Sequence, residues 1–161
     1  MGNSQGDNIM ADQMNVKKLF LIVAAVISGI TLFMPLYFLK GEGIVLNIPK
    51  EYNLPVPLMP TVYGFAILIC AILIVIFTIT GIKPGYIIAS LVDSLLSIIT
   101  VIIMADKAHK DPALLFEQVG NAMSDYIIDE VRTGPAFYII ILAAVLVLGA
   151  MMANAVAIGR D

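Results

Sequence analysis

One aspartate stands in the middle of a long greasy run. Tyr86 to Ala105 reads YIIASLVDSLLSIITVIIMA, and Asp93 is its one charged residue. Around it, Ser90, Asp93, Ser94, Ser97 and Thr100 recur at three- and four-residue intervals. On a helix that spacing collects them into a narrow polar stripe on one face. A charged side chain at the centre of a bilayer is disfavoured by at least about 2.5–3.5 kcal/mol, so the stripe should face protein or water. Three uses fit such a site: a protonated or hydrogen-bonded carboxyl that holds helices together, a contact with a partner subunit, or a proton or cation pathway.

Other chemistry finds little purchase. The chain has one histidine, His109, set between lysines in a loop, and one cysteine, Cys70, inside an apolar run. A lone cysteine makes no intrachain disulfide and no paired-thiol redox centre. No Ser-His-acid arrangement, metal-ligand spacing or phosphate-binding loop is visible. The reading is a non-enzyme with no catalytic residue, no cofactor and no metal. With a net charge of −3 and no basic cluster beyond Lys17-Lys18, nucleic acid is excluded as a partner.

The elements that would position Asp93 follow from composition. Of 161 residues, 60% are hydrophobic and 13% charged, about half the charged share of a soluble domain. About twenty apolar residues at ~1.5 Å each cross the hydrocarbon core. Four stretches qualify, and they predict transmembrane helices over about 19–39, 61–82, 86–105 and 135–158. The expected fold is an all-α membrane protein, a four-transmembrane-helix bundle spanning 17–161 after a polar flexible tail, 1–16. Ala25 and Gly29 on the first helix, and Gly149, Ala153 and Ala157 on the last, are small residues at four-residue spacing and are expected to be packing faces. Pro35 is expected to bend the outer end of the first helix. Asn154 needs a hydrogen-bond partner. Counted along the helices, Ser28, Thr78 and Asn154 fall within about a turn or two of the depth of Asp93.

Two long loops join these spans. Residues 40–60 carry six glycines and prolines, which exclude a long helix and leave room for one short strand over 44–48. Residues 106–134 open with Asp111-Pro112, a helix-starting pair, and predict an amphipathic helix over about 112–131. By contrast, Gly81-Ile82-Lys83-Pro84-Gly85 is a tight turn, which makes the second and third helices antiparallel neighbours. An even number of spans puts both loops on one side. Lys17-Lys18 abut the first helix, and the loops hold eight of the twelve acids. Both point to cytoplasmic termini and exterior loops in a plasma (inner) membrane.

Two short motifs carry a resemblance. Phe33-Met34-Pro35-Leu36-Tyr37 ends the first helix, and Gly134-Pro135-Ala136-Phe137-Tyr138 opens the last. With the short basic turn between the middle helices, the layout resembles a group of small bacterial four-helix membrane proteins over about residues 17–158. Its plan of four helices with two exterior loops is similar to that of claudins and other tetraspan proteins, without the tryptophan and paired cysteines of the claudin first loop. The resemblance supplies no catalytic residues. The functional expectation is a structural or accessory subunit, in contact with membrane lipid, that forms a homo-oligomer or joins a larger complex through an exterior cap. The alternative is a small channel or proton-coupled transporter using Asp93 and the hydroxyl stripe.

Overall fold

The structure is a computed structural model, and it describes residues 4–45, 48–117 and 126–156. The chain is mostly helical with one small sheet. In order it forms α1 (Ser4–Thr31), β1 (Pro35–Val45), β2 (Ile48–Pro57), α2 (Val62–Thr80), α3 (Lys83–Lys110), α4 (Ala113–Glu117), β3 (Tyr126–Thr133) and α5 (Pro135–Val156). Among the described residues, three helices, α2, α3 and α5, are long and apolar enough to cross a membrane. Their outward faces carry large apolar side chains in the open, such as Val62, Ile79, Ile102, Leu142 and Met152. A helix apolar on every side belongs in lipid rather than water, so the chain is a membrane protein. The four long helices pack as a closed ring, α1 on α2, α2 on α3, α3 on α5 and α5 back on α1.

Local chemistry sets the helix ends. Thr61 caps α2 by accepting a hydrogen bond from the Gly64 N–H at 3.0 Å. At the other end Gly81 takes φ = 74°, a left-handed conformation open to glycine, and the Ile82 N–H returns to the Phe77 carbonyl. The tight turn expected between α2 and α3 is therefore present, and the two helices are neighbours.

Several expectations change. The first helix begins at Ser4, inside the tail expected to be flexible, and ends at Thr31 rather than near 39. Pro35 stops it instead of bending it. A proline ring clashes with the carbonyl four residues back, here that of Thr31, and offers no N–H. Tyr37, Phe38 and Leu39 then extend as β1. The loop expected to hold a single short strand is a hairpin of β1 and β2, with Leu39 opposite Leu54 and Lys40 opposite Asn53. Of the helix expected over 112–131, α4 covers Ala113–Glu117, and 118–125 lie outside the described residues. Tyr126–Thr133 is a strand that pairs with β1. Its sequence, YIIDEVRT, is rich in β-branched and aromatic residues, and β1 offers it a full ladder. The fold is therefore helical with a three-stranded antiparallel sheet, order β2-β1-β3, not all-α.

The phase of the ladder says which backbone groups face out. The Gly134 N–H donates to the Leu36 carbonyl at 2.8 Å. In an antiparallel ladder hydrogen-bonded pairs alternate. With the register Phe38–Arg132 and Lys40–Glu130, those pairs are bonded, while Val131 and Thr133 turn their N–H and C=O to the outer edge. On the other side, Leu39 opposite Leu54 and Tyr37 opposite Val56 are the bonded pairs of β1 with β2. That leaves the nitrogens of Pro49 and Pro55 facing outward, the placement a strand tolerates for proline. One edge of the sheet is blunted by prolines and the other is not.

Candidate functional site

The polar stripe of α3 faces inward along its whole length. Ser90, Asp93, Ser94, Ser97 and Thr100 are each no more than 1% exposed. From Ser90 to Thr100 the stripe runs about 15 Å along the helix. The carboxyl of Asp93 meets α1, where the Ser28 hydroxyl donates to its Oδ2 at 3.3 Å. Ser94 points to α5 and donates to the Ala144 carbonyl at 3.1 Å. Asp93 and Ser94 thus tether α3 to α1 across the ring and to its neighbour α5.

The rest of the stripe is unpaired. Among the described residues, Ser90 Oγ, Asp93 Oδ1, Ser97 Oγ and Thr100 Oγ1 are buried without a hydrogen-bond partner. An unsatisfied buried polar group is disfavoured by about 1–3 kcal/mol, and native interiors hold few of them. Four on one helix face form a built feature, not scatter. The sequence pattern made their shared face legible, but not which oxygens α1 and α5 would occupy.

The helices around the stripe carry small residues: Ala24, Ala25, Ser28 and Gly29 on α1, and Ala143, Ala144 and Ala150 on α5, all buried. Ala25 and Gly29, expected to be a packing face, are both buried. Gly29 lies beside Leu68 and Ala71 of α2. Above the same contact, an apolar groove of about 330 Å³ runs between α1 and α2, lined by Ala25, Gly29, Phe33 and Leu68 among others. Of the ridge expected on α5, the two described residues face away from the rest of the chain. Gly149 and Ala153 lie on its exposed side, nothing comes within 4 Å of a Cβ built on Gly149, and Ala157 lies outside the described residues. Four-residue spacing fits two faces of α5, and the inward one is Ala136, Ile140, Ala143, Val147 and Ala150.

Of the three residues expected near Asp93, only Ser28 reaches it. The Thr78 hydroxyl donates to its own helix at Ile74. Asn154 donates to the carbonyls of Lys17 and Ala150, fastening α5 to the start of the apolar part of α1. His109 is not in a loop but in the last turn of α3, exposed, with Lys107 and Lys110, where positive charge suits a helix C-terminus. Cys70 is half-buried in α2. Among the described residues, no cluster of His, Cys, Asp and Glu could hold a metal ion.

A second constellation lies where sheet and helices meet. The two Gly/Pro/aromatic motifs come together there. Gly134 packs on the Pro35 carbonyl so closely that a Cβ would stand 2.2 Å from that oxygen, and the ring of Phe137 meets that of Tyr37 at 5.9 Å. Leu36, Leu39, Val56 and Leu58 of this junction bury against Ile67, Val101, Met104 and Ile140 of the helices. Buried against that core, the Tyr37 phenol is pushed up to about 12 by loss of solvent. At the sheet margin the exposed Arg132 guanidinium bonds the Glu130 carboxylate at 2.9 Å, holding that carboxyl below its ordinary range. Sequence reasoning missed this junction because it follows from strand pairing. Its local signal was the pair of motifs themselves.

The sequence matches no protein-family model and no curated protein.

Proposed function

We propose that this chain is a non-enzymatic, oligomer-forming structural protein of the membrane. In this reading α1 is the fourth crossing, both termini are cytoplasmic, and the sheet stands outside as a cap. The observation that carries it is the asymmetry of the sheet edges. The two connecting segments did not become loose loops. They join as β2-β1-β3, rooted in the helix core through Leu36, Leu39 and Leu58. Prolines close the β2 edge, while the outward N–H and C=O groups of Val131 and Thr133 leave β3 able to accept a further strand.

The occupant is a second copy of this chain. Two β3 strands paired antiparallel about Val131 place Glu130 opposite Arg132 of the partner subunit, and the converse. Those positions are non-hydrogen-bonded pairs, where facing side chains come closest. The edge is self-complementary in charge as well as in backbone phase. Exposed pairs of this kind contribute little each, so they set register more than affinity.

Native mass spectrometry in mild detergent tests the reading. Wild-type protein is expected as dimers or larger even-numbered assemblies. Thr133→Pro removes one outward N–H at an exposed position and is expected to give monomers of unchanged helix content. Monomeric wild-type protein, or a Thr133→Pro variant that assembles as wild type does, refutes it.

A further inference from the structure

We propose that Asp93, with the hydroxyls of Ser90 and Ser97, is a binding site for a monovalent cation, a proton or sodium, inside the helix ring. This goes beyond the oligomer reading and does not depend on it. Asp93 is wholly buried, one of its oxygens is held by Ser28, and the other is unpaired. Ser90 lies three residues before it and Ser97 four after, so both stand on its face about 5–6 Å away at the Cβ level. Their oxygens are also buried and unpaired. Thr100 continues the row one turn further towards the sheet. Three unpaired oxygens beside a fourth already bonded make an oxygen-rich cradle, the donor set that hard cations prefer.

Charge balance selects the valence. Among the described residues, no cationic side chain stands within the ring to neutralise Asp93. Lys17 and Lys18 precede the apolar part of α1, Lys83 begins α3 about 15 Å away, and Lys107 and Lys110 lie about 21 and 26 Å away towards its other end. The segments of α1, α2 and α5 that pack on this level carry no Lys, Arg, His, Asp or Glu. Cys70 is a titratable group on α2, which packs against α3. Tyr86 shares the face of α3, and Tyr63 and Tyr138 sit at the sheet ends of their helices. A single positive charge therefore leaves the site neutral, whereas a divalent ion would leave a net charge in an apolar interior, which is strongly disfavoured.

Dicyclohexylcarbodiimide reads the occupant directly. The protonated carboxyl adds its O–H across a carbodiimide C=N bond, and the O-acylisourea rearranges to a stable N-acylurea whose mass maps to the Asp93 peptide. A carboxylate paired with sodium has no proton to give. The experiment uses full-length protein in mild detergent, labelled over a pH series with sodium chloride or choline chloride. Labelling that falls with rising pH and is the same in both salts identifies a proton. Labelling suppressed saturably by sodium but not choline identifies sodium. In either case Ser90→Ala and Ser97→Ala are expected to move the pH or sodium midpoint at least about threefold, since hydrogen bonds to a charged group are among the stronger ones. Thr78→Ala, whose hydroxyl serves only its own helix, is expected to leave the midpoint in place. Asp93→Asn must remove the adduct. Absence of an Asp93 adduct under every condition, labelling indifferent to both pH and sodium, or midpoints unmoved in both serine variants overturns the proposal.

Discussion

Replacing Gly134 with alanine should force backbone against backbone where β3, β1 and α5 meet. Gly134 joins β3 to α5, is buried, and donates its N–H to the Leu36 carbonyl at 2.8 Å. A Cβ built there stands 2.2 Å from the Pro35 oxygen, 2.9 Å from the Pro35 carbon and 3.2 Å from the Leu36 carbon. All three are backbone atoms, so no rotamer change relieves the overlap. Either β1 moves away from β3 or α5 shifts against the sheet, and both loosen the Tyr37–Phe137 contact. Overpacking of this kind destabilises by about 1–3 kcal/mol where side chains can adjust. With backbone on every contact, the upper end, about 3 kcal/mol, is expected. Two other glycines calibrate the measurement. A methyl at Gly29 would sit at 3.7 Å from Leu68 and 3.9 Å from Ala71, ordinary contact, so Gly29→Ala should be near neutral. A methyl at Gly149 meets nothing within 4 Å, so Gly149→Ala should gain up to about 0.8–1 kcal/mol of helix propensity. Reversible unfolding in mixed micelles, followed by circular dichroism, should separate Gly134→Ala from Gly149→Ala by about 4 kcal/mol. Equal stabilities for these two variants would refute the placement of Gly134 against β1.

Thr61 both accepts from Gly64 N–H and donates to the Leu58 carbonyl at 2.8 Å, so Thr61→Ala should lower stability by about 0.5–2 kcal/mol. Thr61→Ser should restore most of it; no loss in Thr61→Ala by the same unfolding assay would rule out the cap. The buried Tyr37 phenol, raised to about 12, ties stability to alkaline pH. The folded state keeps its proton where the unfolded chain loses it near pH ~10. Stability from this group is thus complete below about pH 10 and declines by roughly 2–3 kcal/mol towards pH 12. Tyr37→Phe should remove that decline, and identical alkaline profiles for the variant and the wild type would show Tyr37 to be solvated.

How far the sequence reached depended on the range of the interactions involved. Helix-scale features were readable because they are local. The stripe from Ser90 to Thr100 declares its face through spacing alone, and Gly81 and Pro84 mark the turn between α2 and α3. The sheet was not readable in the same way. Tyr126–Thr133 continues a helical apolar pattern running through Met123, Tyr126 and Ile127, and it is also rich in the β-branched and aromatic residues that suit a strand. Only the ladder offered by Tyr37–Gly43 decides between them, and that partner is about ninety residues away in the chain. The end of α1 was a matter of weighing one residue. Pro35 kinks a helix if the chain beyond it has reason to continue helical, and ends it if the chain has a better use. Here Tyr37, Phe38 and Leu39 each find neighbours on both sides in β2 and β3, so the extended form wins. The same logic explains the small-residue ridges. Gly29 and Gly149 carry the same signature in sequence, but only Gly29 has a helix against it, because the ring closes α5 through Ala143, Ala144 and Val147 instead. Periodicity therefore located the acid and its hydroxyls, while the pairing of distant motifs decided what surrounds them. The two Gly/Pro/aromatic motifs gave a resemblance when read singly and form a structural joint when brought together. Because Gly134 ties β1 directly to the start of α5, and α5 holds Ser94 through Ala144, the sheet and the buried acid share one element. A change at the sheet edge that shifted α5 would reach the level of Asp93 through that single hydrogen bond.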